Sequence, residues 1–152
     1  MKIISHRGNL NGPNEELENR LDKIEKAIES GFDVEIDIWY LENQLFLGHS
    51  KPEYKIEKEI LQTYKEKLWI HCKNLDSMRL LENEDGLNFF WHENDKFTLT
   101  SKNFIWAYPD MYDNENIISV MPELVIDKLT IKKYIKQKKW IGICTDYPTI
   151  YK

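Results

Sequence analysis

No apolar run in this sequence approaches the roughly 20 residues that a membrane-spanning helix needs, and its basic residues nowhere gather into a stripe. The 21 Lys and Arg are scattered among 26 Asp and Glu, leaving a net charge of -5. That balance argues against nucleic acid as a partner, because an electrostatic footprint on a polyanion needs concentrated positive charge. A phosphate ester can still bind where a metal ion and a few cations reverse the sign locally. Cysteine is scarce: Cys72 and Cys144 lie in the apolar runs 68–72 and 140–144, where two buried thiols are expected and a disulfide is the alternative. Met1-Lys2-Ile3-Ile4-Ser5-His6 turns polar after two isoleucines, so it does not read as a secretory leader, and a cytoplasmic location is expected. There is no internal repeat, no low-complexity tract and no Pro/Gly-rich linker, so residues 1–152 read as one domain.

Aromatics, by contrast, are plentiful. Five Trp, eight Tyr and six Phe place ring-bearing side chains in the core, the site or both. The first half of the chain alternates two periods. Residues 2–6 read as a strand. Asn14 is a candidate helix cap, with Glu15 and Glu16 in the favourable first turn. Leu17, Leu21, Ile24 and Ile28 then recur at helical spacing, and Gly31 stands where a helix terminator belongs. Residues 33–38 alternate strictly, with Val34, Ile36 and Ile38 on one face and Glu35 and Asp37 on the other. A turn at 42–44 and a short strand at 45–48 lead to His49. Helix is expected over 56–67, strand over 68–72 and helix over 75–82. Beyond that, 88–92, 97–100, 104–108 and 117–121 all read as strands with short connections. Helix returns at 130–139, before a last strand at 140–144 and a turn at 146–148.

Alternating β and α units predict a parallel sheet. About eight strands suffice to close a barrel, but a usual (β/α)₈ barrel takes roughly 250 residues. The expectation is therefore an α/β fold: an abbreviated TIM-type barrel with several outer helices missing in the second half, or else an open or partly closed sheet.

Polar residues collect where the predicted strands end. His6-Arg7-Gly8 follows the first, Glu35 and Asp37 share a face of the second, His49 follows the third, and His71 and Lys73 share a face of the fourth. Each has a plain alternative: a loop, a wet strand face, a satisfied core histidine. Yet Val34, Ile36 and Ile38 need to face covering helices, which aims both carboxylates inward, where unpaired charge is costly. A hard divalent cation such as Mg²⁺ or Ca²⁺ would relieve that cost.

These residues, with Glu18-Asn19, the stretch from Gly31 to Asp37, Gly48-His49 and Ile70-His71-Cys72-Lys73, resemble the opening of the glycerophosphodiester phosphodiesterases. That family belongs to the phospholipase-C-like phosphodiesterase superfamily, with a TIM-barrel fold. The likeness covers about the first 75 residues, with a fainter echo at Thr145-Asp146-Tyr147-Pro148, as in a short, divergent member. It implies metal-dependent hydrolysis of a small glycerophosphodiester-like substrate. His6 and His49 would be the acid/base pair, Arg7 a phosphate clamp, Glu35 and Asp37 metal ligands, and Lys73 a cation beside the phosphoryl oxygens. Asn19 would sit near the metal or brace the first loop. The family's third metal ligand, a Glu or Asp two residues before the lysine, is here His71, which also admits a transition metal. The usual Glu-Asn-Thr reads Glu18-Asn19-Arg20, and the usual His-Asp reads His49-Ser50. Attack by a substrate hydroxyl would instead form a cyclic phosphate, as in the similar venom phospholipases D.

Other readings stay open. The same barrel could bind a phosphate or sugar phosphate with little catalysis. His92, Glu93 and Asp95 form either a second polar cluster for sugar-phosphate chemistry or a solvated loop. Trp91, Trp106 and Tyr108 are core residues or a platform for a sugar or glycerol head group. A helix-poor side would expose apolar strand surface, which a homodimer could cover.

Overall fold

The computed structural model describes residues 1–108, 112–127 and 129–152. Among the described residues ten strands form one curled sheet: β1 (Lys2–His6), β2 (Asp33–Leu41), β3 (Gln44–Leu47), β4 (Tyr54–Ile56), β5 (Leu68–Cys72), β6 (Phe89–Phe90), β7 (Phe97–Leu99), β8 (Ile105–Ala107), β9 (Ile117–Val120) and β10 (Gly142–Thr145). Helices are few: α1 (Leu21–Glu29), α2 (Lys58–Thr63), α3 (Leu75–Leu81) and α4 (Ile131–Ile135). The fold is mixed α/β, and none of its described helices is long and apolar enough to cross a membrane.

An eight-strand path runs β4-β3-β2-β1-β10-β9-β8-β7, with β5 on the other side of β2 and β6 beyond it. Pairing is parallel from β6 through β5, β2, β1, β10 and β9 to β8. Two places depart from the all-parallel expectation. After β2, Glu42 and Asn43 both take positive φ, 50° and 59°, the two-residue turn whose twist suits a hairpin. The chain therefore doubles back at the expected turn, and the expected short strand, β3, and then β4 pair antiparallel instead of joining a parallel sheet. β7 likewise pairs antiparallel with β8.

Two expected helices are shorter for local reasons. The α1 pattern begins at Leu21 because Asn19 sits in the left-handed region at φ 60° and ends the turn that Asn14 opens. Asn14 caps no helix; its carbonyl instead accepts from the amides of Leu17 and Glu18. Residues 56–67 divide into the end of β4, the short α2 and a turn, because Ile56 is spent on the sheet, opposite Leu45. In the second half, α4 covers only Ile131–Ile135 of the expected 130–139.

Strand alternation sends side chains to two faces. On the outer face Val34, Ile36, Ile38, Leu68, Ile70 and Cys72 pack against Ile24 and Ala27 of α1, Leu61 of α2 and Leu81 of α3. A second outer cluster puts Ile131 and Ile135 of α4 over Ala107, Ile117 and Ile143. The inner face carries Ile4, Trp69, Phe90, Trp106, Ile118, Val120 and Cys144. Trp69 of β5 and Trp106 of β8 are separated by four strands along the sheet, yet their rings lie 5.9 Å apart. Only a sheet rolled into a half-barrel brings them together. The Ser101 amide adds a hydrogen bond of 2.8 Å to the Phe89 carbonyl, tying the loop after β7 to the edge of β6. Both cysteines are buried free thiols.

Candidate active site

The inner face ends in a cavity of about 570 Å³, lined by Trp106 and Val120 of that face and by residues in or just after the parallel strands. β1 delivers His6. Arg7 then takes φ 52° and Gly8 φ 82°, so the chain turns sharply, with the Arg7 amide bonded to the Glu35 carbonyl and its carbonyl to the Asn19 amide. A Cβ on Gly8 would stand 3.1 Å from the backbone of Lys23 and Ile24. The glycine thus lets α1 pack directly against this loop.

Asp37 is the electrostatic centre. Fully buried, it divides its oxygens among many donors. Oδ2 accepts from Asn19 Nδ2 at 2.9 Å and from His49 Nδ1 at 3.1 Å, with Arg7 Nε 3.0 Å away but not aligned as a hydrogen bond. Oδ1 faces His71 Nδ1 at 2.9 Å and Lys73 Nζ at 3.6 Å. Burial opposes ionisation here, but the two histidines and Arg7 outweigh it and hold Asp37 well below the usual carboxylate range. Asn19 also accepts from the Asp37 amide at 2.9 Å, so one side chain locks loop and strand together.

Glu35 is the opposite case. It is 3% exposed, and among the described residues its Oε2 receives no hydrogen bond; His6 Nε2 stands 3.9 Å away. Burial first, and then the neighbouring Asp37 charge, push its pKa up. A buried, unpaired carboxylate oxygen on a cavity wall is a costly arrangement that a ligand can relieve.

The histidines have distinct settings. His6 Nδ1 faces Asp146 Oδ1 at 2.8 Å, which leaves Nε2 to the cavity. Burial would lower the His6 pKa, but the Asp146 hydrogen bond and the Glu35 charge raise it above 6.5. His49 gives its Nδ1 proton to Asp37 and accepts at Nε2 from Arg7 Nη2, 3.2 Å away. His71 lies against Asp37 on one side and, through Nε2, 3.3 Å from the His92 carbonyl on the other. The rings of His71 and His92 stack 4.6 Å apart. Burial, and then the charges of His71 and Lys73, lower His92 to about 4.

No family model, curated protein or solved structure matches this chain. The chemistry of the site therefore stands on its residues and geometry.

Of the residues singled out in the sequence, His6, Arg7, Glu35, His49, His71, His92 and Trp106 line the cavity. Asp37, Lys73 and Asn19 lie behind that surface, Asp37 and Asn19 fully buried. Glu93, Asn94, Asp95 and Lys96 form a rim with Tyr108 and Met121, while Trp91 is about half exposed away from it. Arg7 does not reach free into the space: Nη1 binds Glu18 Oε2 at 2.8 Å.

Glu35, Asp37 and His71 are all buried, and one ligand atom of each lies within 4.8 Å of the others. With the unclaimed oxygen of Glu35, this donor set fits a divalent cation.

Two residues that organise the cavity were not singled out in the sequence. Asp146 orients His6, and Asn9 braces it, donating from Nδ2 to Asp146 Oδ1 at 2.8 Å and to Glu18 Oε1 at 2.9 Å. Asp146 was visible only within a turn and the faint echo at 145–148, with no role given to it, and no local spacing ties it to His6.

Proposed function

We propose that this chain is a metal-dependent phosphodiester hydrolase on an abbreviated TIM-type barrel, acting on a glycerophosphodiester-like or related small phosphodiester. One observation carries the reading: two histidines with different hydrogen-bond partners share one cavity with a buried carboxylate oxygen that no donor satisfies. A divalent ion held by Glu35, Asp37 and His71 would supply positive charge to the phosphoryl oxygens. Arg7 and Lys73 add cationic charge around the same point.

The proton work divides by environment. His6, with its raised pKa and its Nδ1 fixed by Asp146, suits the acid: Nε2 gives a proton to the departing alkoxide as the phosphorus–oxygen bond breaks. His49 bears its lone pair on Nε2 and suits the base, taking the proton of the attacking water or substrate hydroxyl once Arg7 turns to the phosphate. Water attack yields a phosphomonoester and an alcohol, whereas attack by a substrate hydroxyl yields a cyclic phosphate. ³¹P NMR of the products distinguishes the two.

The test is turnover of a panel of glycerophosphodiesters with Mg²⁺, Ca²⁺ or Mn²⁺, in the wild type and in His6→Ala and His49→Ala. We expect activity in the wild type and a loss of at least about 10²-fold in each variant, with unchanged circular dichroism. Full turnover in either variant removes the pair.

A second reading is a phosphate-binding protein with little catalysis. It is favoured by the commitment of Arg7 to Glu18, Asp37 and His49, contacts that a substrate phosphate has to displace. Binding of glycerol phosphate without turnover in any metal would select it.

A further inference from the structure

The side chain at position 71 decides which ion the centre prefers, and its hydrogen bonds are informative. His71 Nε2 lies 3.3 Å from the His92 carbonyl, an atom that can only accept. The Nε2 proton therefore points at His92, and Nδ1 is left to Asp37 Oδ1, 2.9 Å away, where a ring proton bridges the two atoms or a cation takes its place. Two lone pairs at that separation repel unless a second proton or a cation lies between them. Glu35 completes the arrangement: its Oε2 is buried, lines the same cavity and has no donor among the described residues. Backbone fixation of the distal imidazole nitrogen is the usual way a protein presents the other nitrogen to a metal. The rings of His92 and Phe90, nearly parallel to that of His71 with centroids 4.6 Å and 5.1 Å away, further restrict it.

We infer that the Glu35–Asp37–His71 centre selects a transition-series dication (Mn²⁺, Co²⁺ or Zn²⁺) over Ca²⁺ and Mg²⁺, with His71 bound through Nδ1. This rests on the metal reading of the site proposed above, and it concerns binding rather than turnover. The reason is donor chemistry. Ca²⁺ and Mg²⁺ seek oxygen ligands and keep waters readily, so an imidazole in place of a third carboxylate offers them little. Borderline ions gain from nitrogen, in the order that places Mn²⁺ lowest and Zn²⁺ and Co²⁺ higher. The exchange of a carboxylate for a neutral ring also removes one negative charge, which hard ions need most. Arg7 and Lys73 near Asp37 deepen that deficit.

The test uses metal-stripped full-length protein and the ions alone. Competition against a fluorescent chelator is expected to give affinities for Zn²⁺, Co²⁺ and Mn²⁺ at least about tenfold tighter than for Mg²⁺ and Ca²⁺. Pulsed EPR of the Mn²⁺-loaded wild type is expected to show coupling to one directly bound imidazole nitrogen. His71→Glu should remove that coupling and narrow or reverse the preference toward Ca²⁺ and Mg²⁺. Should that variant fail to fold, the wild-type nitrogen coupling decides alone. Equal or tighter binding of Ca²⁺, or bound Mn²⁺ without nitrogen coupling, overturns the inference, as does failure to bind any of the five ions. Selective, nitrogen-coupled binding by a protein that turns over no phosphodiester would uphold the centre while the hydrolase reading fell.

Discussion

Asp146 touches no cavity-facing nitrogen, yet it sets the state of the one that matters. Its Oδ1 accepts from His6 Nδ1 and from Asn9, so the ring is oriented and its charged form favoured. In Asp146→Asn that support goes, while burial and Arg7 still push the His6 pKa down. His6 then loses its proton at lower pH. The alkaline fall in kcat/KM should move to lower pH, with a loss of roughly 10–100-fold at neutral pH, and NMR titration of the His6 ring should show the same displacement. Stability follows the same pair. His6 has a raised pKa, so its contribution is complete below 6.5 and is lost as pH rises through the folded value. Asp146 has a lowered pKa, so its contribution is present above 3.8 and is lost as pH falls through the folded value. The gap in unfolding midpoint between wild type and Asp146→Asn should therefore be widest between pH 3.8 and 6.5. A gap independent of pH would disprove the coupling. At this scale His6 and His49 were legible because each stands at or just after a strand end, and Glu35 and Asp37 because they share one face of an alternating strand. Asp146, 140 residues from its partner, was not.

Between residues and fold lie the turns, where the sequence reading was weakest. Asn14, Glu15 and Glu16 carry a good helix-start signature, and propensity alone favoured a helix there. The site overrides it, because Glu18 and Asn19 are needed as partners for Arg7 and Asp37. That requirement turns Asn19 to φ 60°. Asn19→Ala loses both side-chain bonds to Asp37 and leaves a buried amide unpaired, which costs about 2–3 kcal/mol. Asn19→Gly loses the same bonds but none of the backbone compatibility, so it should be the milder of the two at equilibrium unfolding. Equal losses would assign the whole effect to the side chain. Gly48, which delivers His49, has φ 145°, and an added Cβ would overlap the Lys51 carbonyl oxygen. Gly48→Ala should thus displace His49 and reduce turnover well beyond its effect on the melting temperature. The hairpin itself shows what the pattern could not give. The turn at 42–44 and the strand after it were readable, but strand direction follows from the paired positive φ values, which composition does not announce.

For the whole molecule, the curl of the sheet concentrates both the aromatics and the cost of function. Strand count and alternation foretold a sheet with two faces. That Trp69, Phe90 and Trp106 meet across it depends on the roll, which no periodicity records. Trp106 of that group lines the cavity, and Glu35 on its wall is 3% exposed. An ionised, unpaired carboxylate held there beside Asp37 destabilises the folded state. Because its pKa is raised, the folded protein binds that proton more tightly than the unfolded chain does. The penalty is therefore complete above the folded pKa and shrinks as pH falls through it toward 4.5. A bound dication removes the penalty and adds its own linkage, about 2.7 kcal/mol at a concentration one hundred times Kd. For a domain of this size that corresponds to roughly 5–10 °C in Tm. Chelation with EDTA should lower Tm by such an amount in the wild type. Glu35→Gln should melt higher than the metal-free wild type at neutral pH, lose that advantage as pH approaches 4.5, and show no response to EDTA. If Glu35→Gln were instead less stable than the metal-free wild type at neutral pH, the carboxylate would be a structural group with a satisfied environment, and the cavity would have no reserved place for an ion.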